Sequence, residues 1–256
     1  MNIEERRMRI YNLIKVKGEV IVAELADSFA VSTMTIRRDL DSLENSGLIR
    51  REYGKALLVD DTVNETNFHS RSQNNHYAKI QIAAAAVRHM KNVSSIYIDG
   101  SSTAYEFIRA LPPDRRLTVF TNSAIALQYL SGFSGINVFV MGGLLARDNN
   151  TLDSEVTANI AKNIFVDATV ISCSGFSAQG FFNDGITGSQ IKKIMLENSQ
   201  HNYLLADCSK FNSQGVFRIN TWDAIDTLIC DRPFDETTRQ RIADCGVEVV
   251  YCATPV

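Results

Sequence analysis

The chain has 256 residues, of which 45% are hydrophobic, 21% charged and 9% aromatic, and its formal net charge is −3. This length suggests one or two domains with a sizeable core, and with 4 prolines and 14 glycines the composition excludes a disordered, collagenous or low-complexity chain. The chain has no run of 18 apolar residues, so no membrane helix is predicted. Residues 1–17 lack the apolar block of a secretory signal. We therefore expect a cytoplasmic protein with no membrane partner.

The first sixty residues predict a helix-turn-helix followed by a β-hairpin. Apolar residues at helical spacing predict helices over 3–16, 22–29 and 33–46. Gly18 and Gly47 end the first and third helices, and Ser32 is a suitable N-cap for the third. Residues 20–22 are β-branched or apolar and fit either a short strand or the start of the second helix. Two apolar stretches joined by Gly54-Lys55 predict a wing with a basic tip.

Charge is informative only when the chain is divided. Residues 1–57 carry a net charge of +1 and residues 58–256 a net charge of −4, so the total does not indicate nucleic-acid binding, whereas local basic clusters do. Hydroxyl and guanidinium groups on the outward face of the third helix suit base edges and phosphates in a major groove. The predicted DNA-binding residues are Ser32, Thr33, Thr35, Arg37, Arg38, Arg50, Arg51 and Lys55.

Two alternatives remain open for this region. The helices could form a plain three-helix cap with a solvated arginine pair, in which Asp39 holds the guanidinium group of Arg37 or Arg38. The hairpin could be an ordinary turn with no DNA contact. The combination of helix pair and hairpin favours the winged helix-turn-helix.

The rest of the chain predicts a linker and one α/β domain. Residues 60–75 are polar and lack periodicity, so the predicted divisions are 1–58 for DNA binding, 59–75 as the linker and 76–256 for effector binding. Alternating strand and helix signals are typical of a mostly parallel sheet covered by helices. The predicted strands are 95–98, 117–120, 136–141, 168–171, 203–206, 224–229 and 247–251. The predicted helices are 78–90, 104–111, 124–130, 156–164, 189–198 and 236–243.

Small residues, hydroxyls, aspartates and a lysine recur where these strands end. Ligands of such folds bind beyond the carboxyl ends of the strands. Residues 99–103 also open a helix, whose amides and hydroxyls can hold a phosphate. Any single loop of this composition is equally well explained as an ordinary turn. Together, the loops predict a site for a small phosphorylated sugar or polyol.

The segment 31–51, VSTMTIRRDLDSLENSGLIRR, resembles the N-terminal signature of the DeoR family of bacterial transcriptional regulators. The resemblance continues through IYIDGSST, LTVFTNS, VMGG and LLADCSKF, and so covers nearly the whole chain. It implies an α/β fold class, with a winged helix-turn-helix before an α/β domain similar to ribose-5-phosphate isomerases. The chain departs from the family where Gly188-Ser189 stand in place of Glu-Ala, ahead of Lys192.

The same resemblance implies a set of effector-binding residues. Ser101, Ser102 and Thr103 would hold a phosphate, and Lys210 would line the pocket unless it is a surface partner of Asp207. The full implied set is Asp99, Gly100, Ser101, Ser102, Thr103, Thr121, Asn122, Gly142, Gly143, Asp207 and Lys210.

Two functions of different classes fit these features. We predict a sequence-specific repressor of a carbohydrate-utilisation operon, which a phosphorylated sugar or polyol releases from double-stranded operator DNA. Such motifs usually engage paired half-sites, so a homo-oligomer, a dimer or tetramer, is expected. The alternative is a sugar-phosphate isomerase-like enzyme, which needs a general base such as Asp99, Asp184 or Asp207. Isomerases of this fold carry an Asp-Gly-Ala-Asp-Glu motif where this chain has residues 172–175, Ser-Cys-Ser-Gly, so no catalysis is expected.

Cysteine and histidine spacing predicts neither disulfides nor a metal. The five cysteines lie at positions 173, 208, 230, 245 and 252, with no C-x-x-C pair. The four histidines, at positions 69, 76, 89 and 201, form no spaced pair with a cysteine or an acid. Reduced cytosolic thiols therefore fit best, and we expect no metal site and no cofactor.

Overall fold

The computed structural model describes residues 3–45, 49–52, 54–58, 68–90, 93–146, 150–213 and 215–252. The chain divides into two compact units, Met1–Gln73 and Asn74–Val256. Among the described residues, no helix is both long and apolar enough to span a membrane. Each unit has a hydrophobic core of its own.

The first unit is the predicted winged helix-turn-helix. Its elements are α1 (Ile3–Lys17), β1 (Glu19–Ile21), α2 (Val22–Phe29), α3 (Thr33–Asn45), β2 (Ile49–Glu52) and β3 (Lys55–Leu58). The three strands pair antiparallel in the order β1-β3-β2, so the β-branched segment before α2 becomes the third strand of the wing. Ile10 and Ile14 of α1 and Ile36 and Leu40 of α3 are fully buried, as expected for residues four apart on one helix face.

Three local predictions for this unit have different outcomes. Gly18 and Gly54 adopt positive φ, after α1 and in the hairpin turn, where glycine is favoured because it has no Cβ. The helix terminator predicted at Gly47 lies outside the described residues.

Residues 68–73 form a further helix, α4 (Phe68–Gln73), although the sequence predicts a linker there. Six residues with one buried apolar side chain are too short to show a helical period, and residues 59–67 lie outside the described part of the chain.

The second unit alternates strands and helices. In chain order its strands are β4 (Ser95–Ile98), β5 (Leu117–Thr121), β6 (Ile136–Val140), β7 (Leu145–Ala146), β8 (Thr151–Leu152), β9 (Val166–Ile171), β10 (Gly175–Ser177), β11 (Gly180–Asn183), β12 (Ser199–Leu205), β13 (Phe217–Asn220), β14 (Thr227–Cys230) and β15 (Glu248–Tyr251). Its helices are α5 (His76–His89), α6 (Ser102–Ala110), α7 (Ala124–Leu130), α8 (Glu155–Ala161), α9 (Ile186–Glu197) and α10 (Glu236–Asp244).

A seven-stranded sheet in the order β15-β14-β12-β9-β4-β5-β6 forms the centre of this unit. Every neighbouring pair in it is parallel, as predicted. Successive residues of β4 face opposite sides: Ile96 and Ile98 belong to one core cluster and Tyr97 to the other. The chain builds outward from β4 through β5 and β6, then returns to place β9 on the other side of β4. The direction of winding therefore reverses between β4 and β9.

Two smaller antiparallel sheets were not predicted. One is the pair β7-β8, and the other has the order β10-β11-β13. In the second, β10 and β11 form a hairpin in which Gly180 has a φ of 131°. The strand predicted over 224–229 is also wrong at its start, because residues 222–224 form a 3-10 turn and the strand runs from Thr227 to Cys230.

Candidate functional site

The N-terminus of α3 is capped as the sequence predicts. The Thr35 backbone N–H donates to Ser32 Oγ at 3.1 Å, and the two hydroxyl oxygens lie 2.9 Å apart. Both groups are at the surface. These two predicted DNA-binding residues therefore stabilise the first turn of the helix in the free protein.

Asp39 fixes α3 against α1. Its Oδ2 accepts a hydrogen bond from Arg6 Nε at 2.6 Å, and its Oδ1 accepts one from Arg7 Nε at 3.1 Å. The Asp39 side chain is 2% exposed, and the hydrogen bond to it raises the pKa of Arg6. The alternative in which Asp39 holds Arg37 or Arg38 is wrong, because the carboxylate is directed toward α1. Both of those arginines are exposed, and neither has a salt-bridge partner in the described part of the chain.

The basic residues of the wing are paired with nearby acids. Arg51 forms an ion pair with Asp41, and its backbone N–H donates to Glu44 Oε1 at 2.9 Å. Lys55 Nζ lies 2.8 Å from Glu19 Oε1, and this hydrogen bond raises the pKa of Lys55. Exposed pairs of this kind contribute little stability, so a phosphate can replace the carboxylate. The Arg50 side chain lies outside the described atoms.

Asp99 follows β4 where the winding of the sheet reverses. Its Oδ2 lies 3.0 Å from Lys192 Nζ and accepts from the Ser172 backbone N–H at 3.2 Å. Its Oδ1 accepts from the N–H and the hydroxyl of Ser101 at 3.1 and 2.5 Å. Ligands of doubly wound sheets bind in the crevice at such a reversal. The cluster thus lies where the topology places a ligand.

Lys192 and Lys210 reach the same point from different elements. Lys192, on α9, is 8% exposed, and its Nζ donates to the Ser172 carbonyl at 2.8 Å and to Asn183 Oδ1 at 3.3 Å. Lys210 Nζ donates to Ser172 Oγ at 2.9 Å and lies 4.0 Å from Asp207 Oδ2. Lys210 is therefore part of the cluster and not only a surface partner of Asp207.

Lys192 is not among the residues predicted from the sequence for this site. The available signal was its place on the helix: Lys192 lies three and four residues before Met195 and Leu196, which are buried. A lysine on the apolar face of a helix requires a partner for its charge. That partner, Asp99, is far away in sequence, so the signal alone could not identify it.

The predicted phosphate loop leads into α6. Ser101 caps the helix, because its Oγ accepts from the Ala104 N–H at 3.2 Å. Ser102 and Thr103 are buried, and Thr103 Oγ1 accepts from Ser172 Oγ at 3.4 Å. The Ser101 and Thr103 hydroxyls are thus bonded within the protein. N–H groups of a first helical turn lack intrahelical acceptors. Those of Ser101 and Ala104 are bonded to Asp99 and Ser101, so the N–H groups of Ser102 and Thr103 are the ones suited to an anion.

Thr121 and Asn122, at the end of β5, belong to an adjacent network. Thr121 Oγ1 donates to the Ile98 carbonyl at 2.7 Å. Asn122 Nδ2 donates to Asp153 Oδ1 at 2.7 Å, and Asn122 Oδ1 accepts from the Tyr97 hydroxyl at 3.1 Å. Burial, together with the carboxylates of Asp99 and Asp153, raises the pKa of Tyr97 well above its ordinary value. Tyr97 therefore stays protonated and acts as a hydrogen-bond donor.

Gly142 and Gly143 lie at the end of β6 and pack against α8. Thr157 Oγ1 donates to the Gly142 carbonyl at 2.8 Å. Gly143 has a φ of +145°, and a Cβ there would clash with the hydroxyls of Thr157 and Ser154. Both glycines are exposed, and in the described part of the chain no hydrogen bond joins them to Asp99.

Asp207 connects Lys210 to the first residues of the second unit. Its Oδ1 accepts from Asn75 Nδ2 at 3.0 Å and from the Ser209 N–H at 3.2 Å. Asn75 Nδ2 also donates to Ser209 Oγ at 2.8 Å. Asn75 directly precedes α5 and has φ 52° and ψ 33°, in the left-handed region. The sequence predicts Asn75 to be the last residue of the linker, and this contact was not predicted.

Cys173 lies beside Ser172, and its thiol is unreactive. Its side chain is buried, and burial raises the pKa of the thiol to about 11. The thiol is therefore neutral at pH 7 and packs as a small apolar group.

An open groove lies at the opposite end of the sheet. It is lined by residues 165–167 and 197–200, at the amino ends of β9 and β12. Ligands of parallel sheets bind at the carboxyl ends, so the Asp99 cluster is the better ligand site.

Comparisons with known proteins cover both units. A DeoR-like helix-turn-helix domain model matches residues 6–62, and a DeoR C-terminal sensor domain model matches residues 74–232. An HTH-type transcriptional regulator of Bacillus subtilis, YulB, is 31% identical over 97% of this chain and 96% of its own. The glycerol-3-phosphate regulon repressor of Escherichia coli is 27% identical over 97% of this chain and 98% of its own.

Among solved structures, ribose 5-phosphate isomerase A from Neisseria gonorrhoeae has a partial similarity to this chain. It is 20% identical, with a TM-score of 0.39, over 53% of each chain.

Proposed function

The chain belongs to the DeoR family of transcriptional regulators, and from this premise we propose that it represses a carbohydrate-utilisation operon until a phosphorylated sugar or polyol binds its second unit. It is a DNA-binding regulator and not an enzyme. The proposed repressor acts in the cytoplasm, where the operator is. The observation that carries the proposal is the Asp99–Lys192–Ser172–Lys210 cluster at the reversal of the sheet.

In the proposed complex α3 lies in the major groove of the operator. The exposed guanidinium groups of Arg37 and Arg38 face phosphates or base edges. Arg51 and Lys55 exchange their carboxylate partners for phosphates of the flanking backbone. A single unit of this size reads one half-site, so a dimer or tetramer engages paired half-sites.

The proposed effector is recognised by charge and by the loop at α6. Lys192 and Lys210 bring two cations to Ser172, beside the backbone of residues 101–103. A phosphate is attracted by both, and sugar hydroxyls suit Asp99 and Asn122, which offer acceptors and donors. One relative is named for the regulon of glycerol 3-phosphate, a phosphorylated polyol, which supports this class of ligand.

We propose that the effector acts through Asn75. A ligand hydroxyl that donates to Asp207 competes with the Asn75 amide, which donates to Asp207 and Ser209. Asn75 is the second residue of the second unit, so loss of these bonds changes where the chain enters it. An effector that binds the two arrangements with different affinity shifts their populations, as a switch requires.

The experiment is fluorescence anisotropy of the full chain with DNA from upstream of its own gene. Titrations are run at two salt concentrations, with and without a panel of sugar phosphates and the corresponding free sugars. We expect specific binding with a steep salt dependence, released by one phosphate ester and not by its free sugar. A chain that prefers no upstream duplex to random DNA would overturn the regulatory function at those sites.

A further inference from the structure

We propose that Met34 contacts the methyl group of a thymine in the major groove and thereby contributes to the choice of operator sequence. This inference rests on the proposed function, because it requires α3 to lie in the groove. Met34 is absent from the predicted DNA-binding set, which holds only polar and charged residues.

Met34 lies at the centre of the exposed face of α3. The buried face of this helix is formed by Ile36, Asp39, Leu40 and Leu43. Successive residues of an α-helix are rotated by about 100° around the helix axis. On this basis, Met34 lies within roughly 20° of the point diametrically opposite the centre of the buried face. Arg37 and Arg38 lie on either side of it. Met34 thus lies on the side of α3 away from the core, between the positions of Arg37 and Arg38.

The position along the helix is also that of a base contact. Met34 is the second residue of α3, and residues at the N-terminus of a recognition helix reach base edges. Its side chain is 55% exposed, so packing within its own unit does not account for it. The other exposed side chains described on α3 are polar or charged: Thr33, Arg37, Arg38, Asp41 and Glu44.

The chemistry of the side chain selects its partner. A thioether is at most a weak acceptor and has no hydrogen to donate, so Met34 cannot read the donor and acceptor pattern of a base pair. The one methyl group that an unmodified base presents in the major groove is that of thymine. Burying it against Met34 removes both apolar surfaces from water.

The test uses the operator fragment that the full chain selects in the anisotropy experiment. Each thymine is replaced singly by deoxyuridine, which removes the methyl group and keeps every hydrogen-bonding atom. We expect one or two positions in each half-site at which the wild-type chain loses about fourfold in affinity, the change expected from one methyl group. Met34→Ala should bind the parent fragment more weakly and show no further loss at those positions.

Two variants serve as controls. Thr33→Ala removes a predicted polar contact next to Met34, so its overall affinity should fall, but it should keep the wild-type loss on deoxyuridine replacement; Met34→Leu should restore that loss. The inference is overturned if no replacement changes wild-type affinity, or if Met34→Ala responds as strongly as the wild type. A chain that selects no fragment over random duplex would overturn the proposed function, and this inference with it.

Discussion

A buried lysine is stable in the second unit because a carboxylate faces it. Lys192 Nζ and Asp99 Oδ2 are 3.0 Å apart, with side chains 10% and 1% exposed. Removing two such charges from water is costly, and the pair is tolerated because hydrogen bonds satisfy the remaining atoms. Asp99 also accepts from Ser101 and from the Ser172 backbone. In the proposed complex, this cation attracts the phosphate of the effector.

The first prediction follows from this pair. Lys192→Met leaves the Asp99 carboxylate buried without its cation, and the free energy of unfolding should fall by roughly 3 kcal/mol. The effector should also lose its ability to release DNA. Urea denaturation and anisotropy measure the two effects.

Lys193→Met is the matched control, since Lys193 is the exposed neighbour; it should change stability by no more than about 0.5 kcal/mol. Equal stability of the two variants would contradict the burial argument.

At the scale of the element, α3 combines a capped N-terminus with an exposed surface that carries the arginines proposed to contact DNA. Ser32 accepts the Thr35 N–H, and Asp39 ties the helix to Arg6 and Arg7 of α1. The helix is thus held from its buried side, while Arg37 and Arg38 remain exposed. The DNA contacts proposed for Arg37 and Arg38 therefore use groups that do not hold the helix in place, whereas Ser32 both caps the helix and belongs to the predicted DNA-binding set.

Ser32 provides the second prediction. Ser32→Ala removes the cap and should destabilise α3 by about 1 kcal/mol, visible as faster amide hydrogen exchange in this helix of the full chain. Ser32→Asp keeps an acceptor for the Thr35 N–H and should retain the protection. Its negative charge near the phosphates should still weaken DNA binding by tenfold or so, mostly at low salt. Normal DNA affinity in Ser32→Asp would place Ser32 outside the interface.

Elements were predictable from sequence where their signal is local. Helices 22–29 and 124–130 are observed with the predicted bounds, because apolar spacing and flanking caps lie within a few residues. The β10-β11-β13 sheet was missed because its strands have three or four residues each, too few to show a period of two. Its third strand also comes from far along the chain, and sequence gives no local sign of that pairing.

The residues of the candidate site were likewise predictable where their signal is local and not where it depends on distant parts of the chain. Asp99 and Lys210 could be placed at strand ends, because the carboxyl ends of parallel strands share one edge of a sheet. Lys192 could not be assigned, since its partner is decided by how α9 packs over the sheet. The contact of Asn75 could not be predicted either, because it is a hydrogen bond to a loop 132 residues further along the chain.

At the scale of the whole molecule, the question is how a ligand in the second unit affects DNA binding by the first. Asp207 is next to the lysine cluster and is bonded to Asn75, where the second unit begins. Asn75 adopts a left-handed conformation, which is uncommon for a residue with a side chain. This conformation directs its amide toward Asp207 and Ser209, so the hydrogen bonds and the backbone geometry depend on each other.

Asn75→Gly is therefore the third prediction. Glycine keeps the left-handed backbone at no steric cost but loses both hydrogen bonds, so folding should be nearly unchanged, and the effector, which no longer competes with Asn75, should bind at least as tightly as to the wild type. The effector should weaken DNA binding by about 5- to 150-fold in the wild type, the usual range for such coupling, and by less than about threefold in the variant.

Asn74→Gly, which removes an exposed neighbouring side chain, should respond like the wild type. Because the quantity measured is the ratio of DNA affinities with and without effector, a change in overall stability does not imitate the result. An undiminished ratio in Asn75→Gly would mean that the signal leaves the ligand site by another route.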